Sequence, residues 1–302
     1  MSGTANKPPK ASNFPLRLSQ LSVVPKVVKR SVTMLKPALK AFPARPVSAP
    51  SAAVAAARAV LRPQALLQHS VDHAANSKSP SGVGLDSADV RARMVERLRA
   101  GGIRHPVVLD AMARVQRHRF VDSALVIQAY EDTSLPIGHG QTISKPSVVA
   151  RMIELLLGGA QARSSRHLGK VLEIGTGCGY QAAVLACMAK QVVSVERLKA
   201  LHDKARELLA QERGGSMRLV YGDGRLGHAP NAPFDSIIAA AGGDALPDAW
   251  LNQLAVGGRL VAPVEMGSSR QALVVVDRTE YGFERHVFET VQFVPLKSGM
   301  VR

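Results

Sequence analysis

Acidic residues are almost missing from the first quarter of this chain. Residues 1–80 hold twelve Lys or Arg and one acid, Asp72, whereas the remainder carries 27 basic and 22 acidic side chains. The formal charge of +16 therefore divides into +11 on a cationic head and +5 on a nearly balanced body, which excludes a uniformly basic protein. Cysteine is scarce as well. Cys178 and Cys187 alone cannot make a disulfide framework, and a reducing compartment suits them, so a cytoplasmic location is expected. No run of 18 apolar residues occurs, and the longest candidate, Ala52 to Leu61, is interrupted by Arg58; no membrane span is expected. Aromatics make up 4% of the chain, with only Phe14 and Phe42 in the head. Two isolated rings give bases no platform to stack on.

What the head does hold is proline, ten of the eighteen, set among Ala, Ser, Lys and Arg. Prolines at that density remove backbone donors and interrupt periodicity. Residues 1–84 are therefore expected to form a largely disordered basic extension, and residues 85–302 the folded domain. Such an extension is compatible with a transit peptide, with weak salt-dependent contact to nucleic acid, with a misplaced translation start or with a plain solvated tail. His69 and His73 stand near Asp72, but the spacing lacks the Glu of a zinc helix, and no metal site is expected.

Periodicity begins at residue 86. Asp86 or Ser87 can cap a helix with Val90, Met94 and Leu98 on one face and Gly101-Gly102 as its stop. A second short helix follows Pro106. Further on, strands are expected at Lys170–Ile174, Val192–Glu196, Arg218–Tyr221, Phe234–Ala239 and Arg259–Val264, alternating with helices. That alternation means βαβ units and a mostly parallel sheet covered on both faces. Ala272–Asp277 and His286–Phe293 leave no room for a helix between them and read as an antiparallel hairpin at one edge.

The sharpest local signal is Val171-Leu172-Glu173-Ile174-Gly175-Thr176-Gly177-Cys178-Gly179-Tyr180, a buried strand entering a glycine-rich turn and then a helix. A dinucleotide turn would need glycine at position 180, where Tyr180 stands. The spacing present, G-x-G-x-G with Glu173 two residues before it, resembles the first motif of Rossmann-like S-adenosylmethionine-dependent methyltransferases. Glu196 ends the next strand, where an acid can accept hydrogen bonds from ribose hydroxyls. Asp223, in Gly222-Asp223-Gly224, resembles that class's acceptor for the adenine amine. Cys178 reads as a small turn residue and Cys187 as helix core, because neither stands in a nucleophile motif.

Upstream, Pro136, Gly138 and Gly140 suggest an irregular loop that delivers Thr142, Ile143 and Ser144 to the start of a helix, Lys145 to Leu157. Ser144 is a candidate N-cap, and free N–H groups in the first turn would favour an anion such as a carboxylate. The stretch Leu135 to Pro146, together with Phe120-Val121, Leu172 to Tyr180, Ser194-Val195-Glu196-Arg197, Gly222-Asp223-Gly224, Ala232-Pro233-Phe234-Asp235 and Phe293-Val294-Pro295-Leu296, resembles the bacterial protein-L-isoaspartate (D-aspartate) O-methyltransferases over most of residues 86–302. The resemblance implies an α/β, seven-stranded sheet with an antiparallel C-terminal edge and S-adenosyl-L-methionine as cofactor. It implies methyl transfer to the free α-carboxylate of isoaspartyl residues in damaged proteins, the ester then collapsing through a succinimide towards a normal linkage.

By the same resemblance Ser144 is the active-site residue, with Thr142 and Ile143 contacting the substrate peptide. Glu173, Gly175, Gly177, Gly179, Glu196, Asp223 and Gly224 would hold the cofactor, and the enzyme would be a monomer. Arg225-Leu226-Gly227-His228 departs from the family, where aromatic residues are common. Two rival readings are weaker. An RNA or DNA methyltransferase would show prolines and an aromatic where Ile238-Ala239-Ala240-Ala241-Gly242-Gly243 stands. A nucleic-acid-binding protein would depend on the head alone.

Overall fold

In the computed structural model, residues 88–212, 216–267 and 270–302 are described; the expected extension, the His69/His73 pair and the Asp86 or Ser87 cap lie outside them. Two helices open the domain, α1 (Ala88–Ala100) and α2 (Pro106–Arg114). They bury Met94, Val95 and Leu98 and Val108, Leu109, Ala111 and Met112 respectively, at the spacing the apolar periodicity requires. A small antiparallel pair follows, β1 (Leu135–Gly138) and β2 (Gln141–Ile143).

The order is then α3 (Pro146–Leu157), α4 (Ala160–Ser165), β3 (Lys170–Ile174), α5 (Tyr180–Ala186), β4 (Gln191–Glu196), α6 (Lys199–Leu209) and β5 (Ser216–Tyr221). The chain ends with β6 (Phe234–Ala239), α7 (Asp248–Gln253), β7 (Leu254–Glu265), β8 (Gln271–Thr279) and β9 (Gly282–Val291). Seven strands form one sheet in the order β5-β4-β3-β6-β7-β8-β9. The first five are parallel, and β8 and β9 run antiparallel to their neighbours, which is the expected hairpin edge.

Alternation along the strands sends side chains to two apolar clusters. Val171, Val192, Ile238 and Val261 join the cluster that α1, α2, α3, α5 and α6 cover. Leu172, Ile174, Val193, Val195 and Ile237 face the other, where Trp250 of α7 and Leu254 pack. The order of strands reverses between β3 and β6. A crevice opens at the carboxyl ends of the strands on either side of such a switch point, and the glycine turn after β3 lies there.

Three local expectations are corrected. Pro136 to Gly140 is not an irregular loop but a hairpin. Its two central residues, His139 and Gly140, take φ of 54° and 67°, the left-handed pair that a tight two-residue connection needs. Helix α3 starts at Pro146 with Lys145, not Ser144, as N-cap. Proline is suited to the first helical position and drives the residue before it into extended backbone, which shifts the cap to Lys145. Cys187 is also not in a helix core; it closes α5 and is partly exposed.

Candidate active site

The turn after β3 is built by backbone that glycine permits: Gly175 and Gly177 have φ of +88° and +56° and line a cavity. Gly179 shares the positive φ, at +94°, and is also hemmed in by packing, whereas Gly224 answers to packing alone. A Cβ on Gly179 would come within 2.9 Å of Leu209, and one on Gly224 within 2.6 Å of Ile174; Gly224 lines the cavity and Gly179 does not.

Glu173 is placed differently from expectation. It is fully buried beneath the turn and does not line the cavity. Its neighbour in the register is Ser194, whose hydroxyl donates to Glu173 Oε2 at 2.5 Å and lies 2.6 Å from Thr176 Oγ1. Glu173 Oε1 and Gln181 Nε2 each lack a hydrogen bond of normal geometry, although Gln181 stands close enough to favour the ionised form. Burial outweighs these donors and pushes the carboxyl pKa up to about 8, with the nearby Glu196 charge adding to it.

Glu196, at the end of β4, does line the cavity. Its Oε2 accepts from Gly177 N at 2.9 Å and its Oε1 from Leu198 N at 2.9 Å. Each oxygen keeps a second lone pair for a ligand. Asp223 does not line the cavity; Oδ1 accepts from Arg225 N and Oδ2 from Gly299 N, at 2.9 and 2.6 Å. Its loop is held from below, where Trp250 Nε1 donates to Gly224 O and Gln253 bridges His228 N and Leu226 O. The departing segment Arg225 to His228 is thus supported by α7 and not by an aromatic of its own. Cys178 is buried in the turn, where desolvation raises its thiol pKa, consistent with an unreactive small residue.

No periodicity marks the chain's end as part of this site. Residues 294–301 cross the cavity as a strap. Gly242 N donates to Val294 O and Leu296 N to Gly242 O; further along, Val301 N donates to Arg197 O and Lys199 N to Val301 O. Arg197 adds bonds from Nε to Gly299 O and from Nη2 to Ser298 O. The cavity is half enclosed and measures about 380 Å³, and its walls include the glycine turn, Glu196, Leu201, the β1–β2 hairpin and strap residues. Phe293 to Leu296 did form part of the motif set, but carried no role.

A second, open cleft of about 1450 Å³ lies between α1, α3 and the ends of β8 and β9, with Tyr130, Asp132, Lys145 and Arg151 among its lining. Thr142, Ser144, Ala240 and Val294 line both cavities, so the two spaces meet there. Ile143 lines the enclosed cavity alone. The Ser144 hydroxyl has no hydrogen-bond partner among the described residues. The start of α3 is not open to an anion, however: Asp132 Oδ1 accepts from Ser147 N and Oδ2 from Ser147 Oγ, both at 2.8 Å. A carboxylate of the chain itself already satisfies that helix end.

Five parallel strands reversing order at an acid-and-glycine turn, with carboxylates after the next two strands, define a Rossmann-like methyltransferase fold. The model of the family "Protein-L-isoaspartate(D-aspartate) O-methyltransferase" matches residues 89–301. The chain belongs to that family. A protein-L-isoaspartate O-methyltransferase of Leptothrix cholodnii is 57% identical over 296 residues, 97% of this chain and 96% of the relative, so the match takes in most of the basic head. A solved protein-L-isoaspartate O-methyltransferase superposes with a TM-score of 0.62 at 26% identity, over 70% of this chain and 67% of that one. A Plasmodium falciparum structure, described as such an enzyme in complex with S-adenosyl-L-homocysteine, shares the fold with a TM-score of 0.59 at 22% identity, over 68% and 98%.

Proposed function

We infer that the chain is a protein-repair methyltransferase, which moves the methyl group of S-adenosyl-L-methionine to the free α-carboxylate of L-isoaspartyl residues in damaged proteins and peptides. The observation that carries this reading is the junction of a small, half-enclosed cavity with a wider cleft at Thr142 and Ser144. One space suits a small cofactor and the other a segment of polypeptide.

The residues present fit the cofactor. A cavity of this size lies in the range that small molecules fill. Tyr180 removes the third glycine of a pyrophosphate turn, and Glu196 presents a carboxylate to the ligand. In this reading Gly175, Gly177 and Gly224 give it backbone room, and Glu173 holds the turn from below through Ser194 and Thr176. Asp223 becomes available to an adenine amine when Gly299 yields its hydrogen bond.

When bound, the cofactor supplies an electrophilic methyl group on a sulfonium. The substrate carboxylate is already ionised at neutral pH, so no general base is required. What the chain supplies is alignment and exclusion of water. Ser144 donates a hydrogen bond that fixes the carboxylate at the junction, and Thr142 and Ile143 shape the approach of the peptide. The same reading treats the enzyme as a cytoplasmic monomer. No helix among the described residues is long and apolar enough to cross a membrane.

The test is methyl transfer from labelled S-adenosylmethionine to two peptides that differ only in an isoaspartyl or a normal aspartyl linkage. Base-labile label is expected on the isoaspartyl peptide alone; label on neither, or on added RNA instead, overturns the reading. Ser144→Ala should lower kcat about tenfold or more, the size of one lost hydrogen bond to a charged group. Affinity for S-adenosylhomocysteine, measured by calorimetry, should stay nearly unchanged; equal losses in both would remove the positioning role.

A further inference from the structure

Arg117 is fully buried and lies outside both cavities. Its Nε donates to Ala129 O at 2.8 Å and Nη2 reaches Thr133 O at 3.4 Å, while Nη1 makes no hydrogen bond of normal geometry, although the Tyr180 side chain stands close enough to favour the charged form. The guanidinium carbon sits 4.8 Å from the centre of the Tyr180 ring. No carboxylate pairs with it among the described residues, although an arginine keeps its charge in proteins. Burying a cation with no carboxylate in ion-pair contact opposes folding, and Asp132 acts on it only through space, so this placement calls for an account beyond packing.

What Arg117 touches supplies one. Tyr180 is the first residue of α5, directly after the glycine turn, and lines the enclosed cavity. Ala129 and Thr133 bracket the segment that gives Tyr130, Asp132, Thr133 and Ser134 to the open cleft, and Asp132 in turn holds the start of α3 through Ser147. The planar guanidinium reaches two carbonyls of one wall while stacking on the ring that belongs to the other. Lysine, with one nitrogen on a flexible stem, cannot do both.

We propose that Arg117 is a positioning residue that holds the Ala129–Ser134 wall of the open cleft in register with the turn of the enclosed cavity, and thereby sets affinity for the peptide but not for the cofactor. The proposal rests on the functional reading above for its kinetic part. In Arg117→Lys, the KM for the isoaspartyl peptide should rise about tenfold, as expected when a wall shifts by a fraction of an ångström. The dissociation constant for S-adenosylhomocysteine should change less than about twofold. Arg117→Met should raise the peptide KM further, and Arg117→Lys alone decides the matter if the Met variant does not fold.

Amide hydrogen exchange read on 129–134 in the ligand-free protein should be faster in Arg117→Lys than in the parent. A lowered thermal midpoint with peptide KM and exchange unchanged overturns the proposal, as does a parallel loss of peptide and cofactor affinity. If the parent chain methylates no isoaspartyl peptide, the functional reading fails, and the exchange comparison still decides the role of Arg117.

Discussion

Glu173 shows how a residue can be recognised by pattern while its partners stay hidden. Its position two residues before the first glycine marks the turn, yet the strand register, not the motif, decides that Ser194 and Thr176 are what it meets. The pKa of about 8 has a consequence for stability. In the unfolded chain this carboxyl loses its proton near its ordinary value, whereas in the folded protein it keeps it. From about pH 4.5 to pH 8 the unfolded state therefore binds fewer protons, and stability falls as pH rises, by roughly 1.4 kcal/mol per unit at most. Above pH 8 both states are ionised and the loss is complete. Glu173→Gln should flatten this slope, so that thermal midpoints of parent and variant converge at low pH and separate in favour of the variant at pH 9; parallel curves would show that Glu173 does not titrate in this window.

At the scale of elements, periodicity and glycine spacing made the sheet legible. Strands β3, β4 and β6 stand at or within one residue of where alternation puts them. The strap was not legible, because it has no repeat and its bonds run to residues about fifty to a hundred positions away, as from Val294 to Gly242 and from Gly299 to the Arg197 side chain. The hairpin β1–β2 leaves no alternation to see, because its strands are only four and three residues long. Arg197→Met removes two side-chain bonds to the strap and leaves its backbone bonds in place. Release of S-adenosylhomocysteine, followed by stopped-flow fluorescence of an analogue, should accelerate roughly threefold to tenfold, the range for one or two partly exposed hydrogen bonds. An unchanged release rate would mean that the strap is held without this latch.

At the scale of the molecule, the reversal of strand order between β3 and β6 fixed where a site could be before any side chain was considered. Charge pointed elsewhere. The cationic head dominates the net charge, but the cavity-lining residues among those described, Glu196 and Ser144 included, belong to the balanced body. Removing residues 1–84 should leave kcat and both KM values on isoaspartyl peptides unchanged within about twofold, since rates respond to groups that contact the reacting species; a larger loss, measured at matched ionic strength, would give the head a part in substrate capture.

The walls shared by the two cavities carry one more consequence for the proposed reaction. A peptide seated in the cleft with its carboxylate at Ser144 stands across the opening between the spaces, and the strap borders the far side. In the proposed reaction a donor behind a seated peptide then exchanges past the strap that Arg197 latches, which leaves one side of the site to cofactor traffic and the other to the damaged chain and its ester.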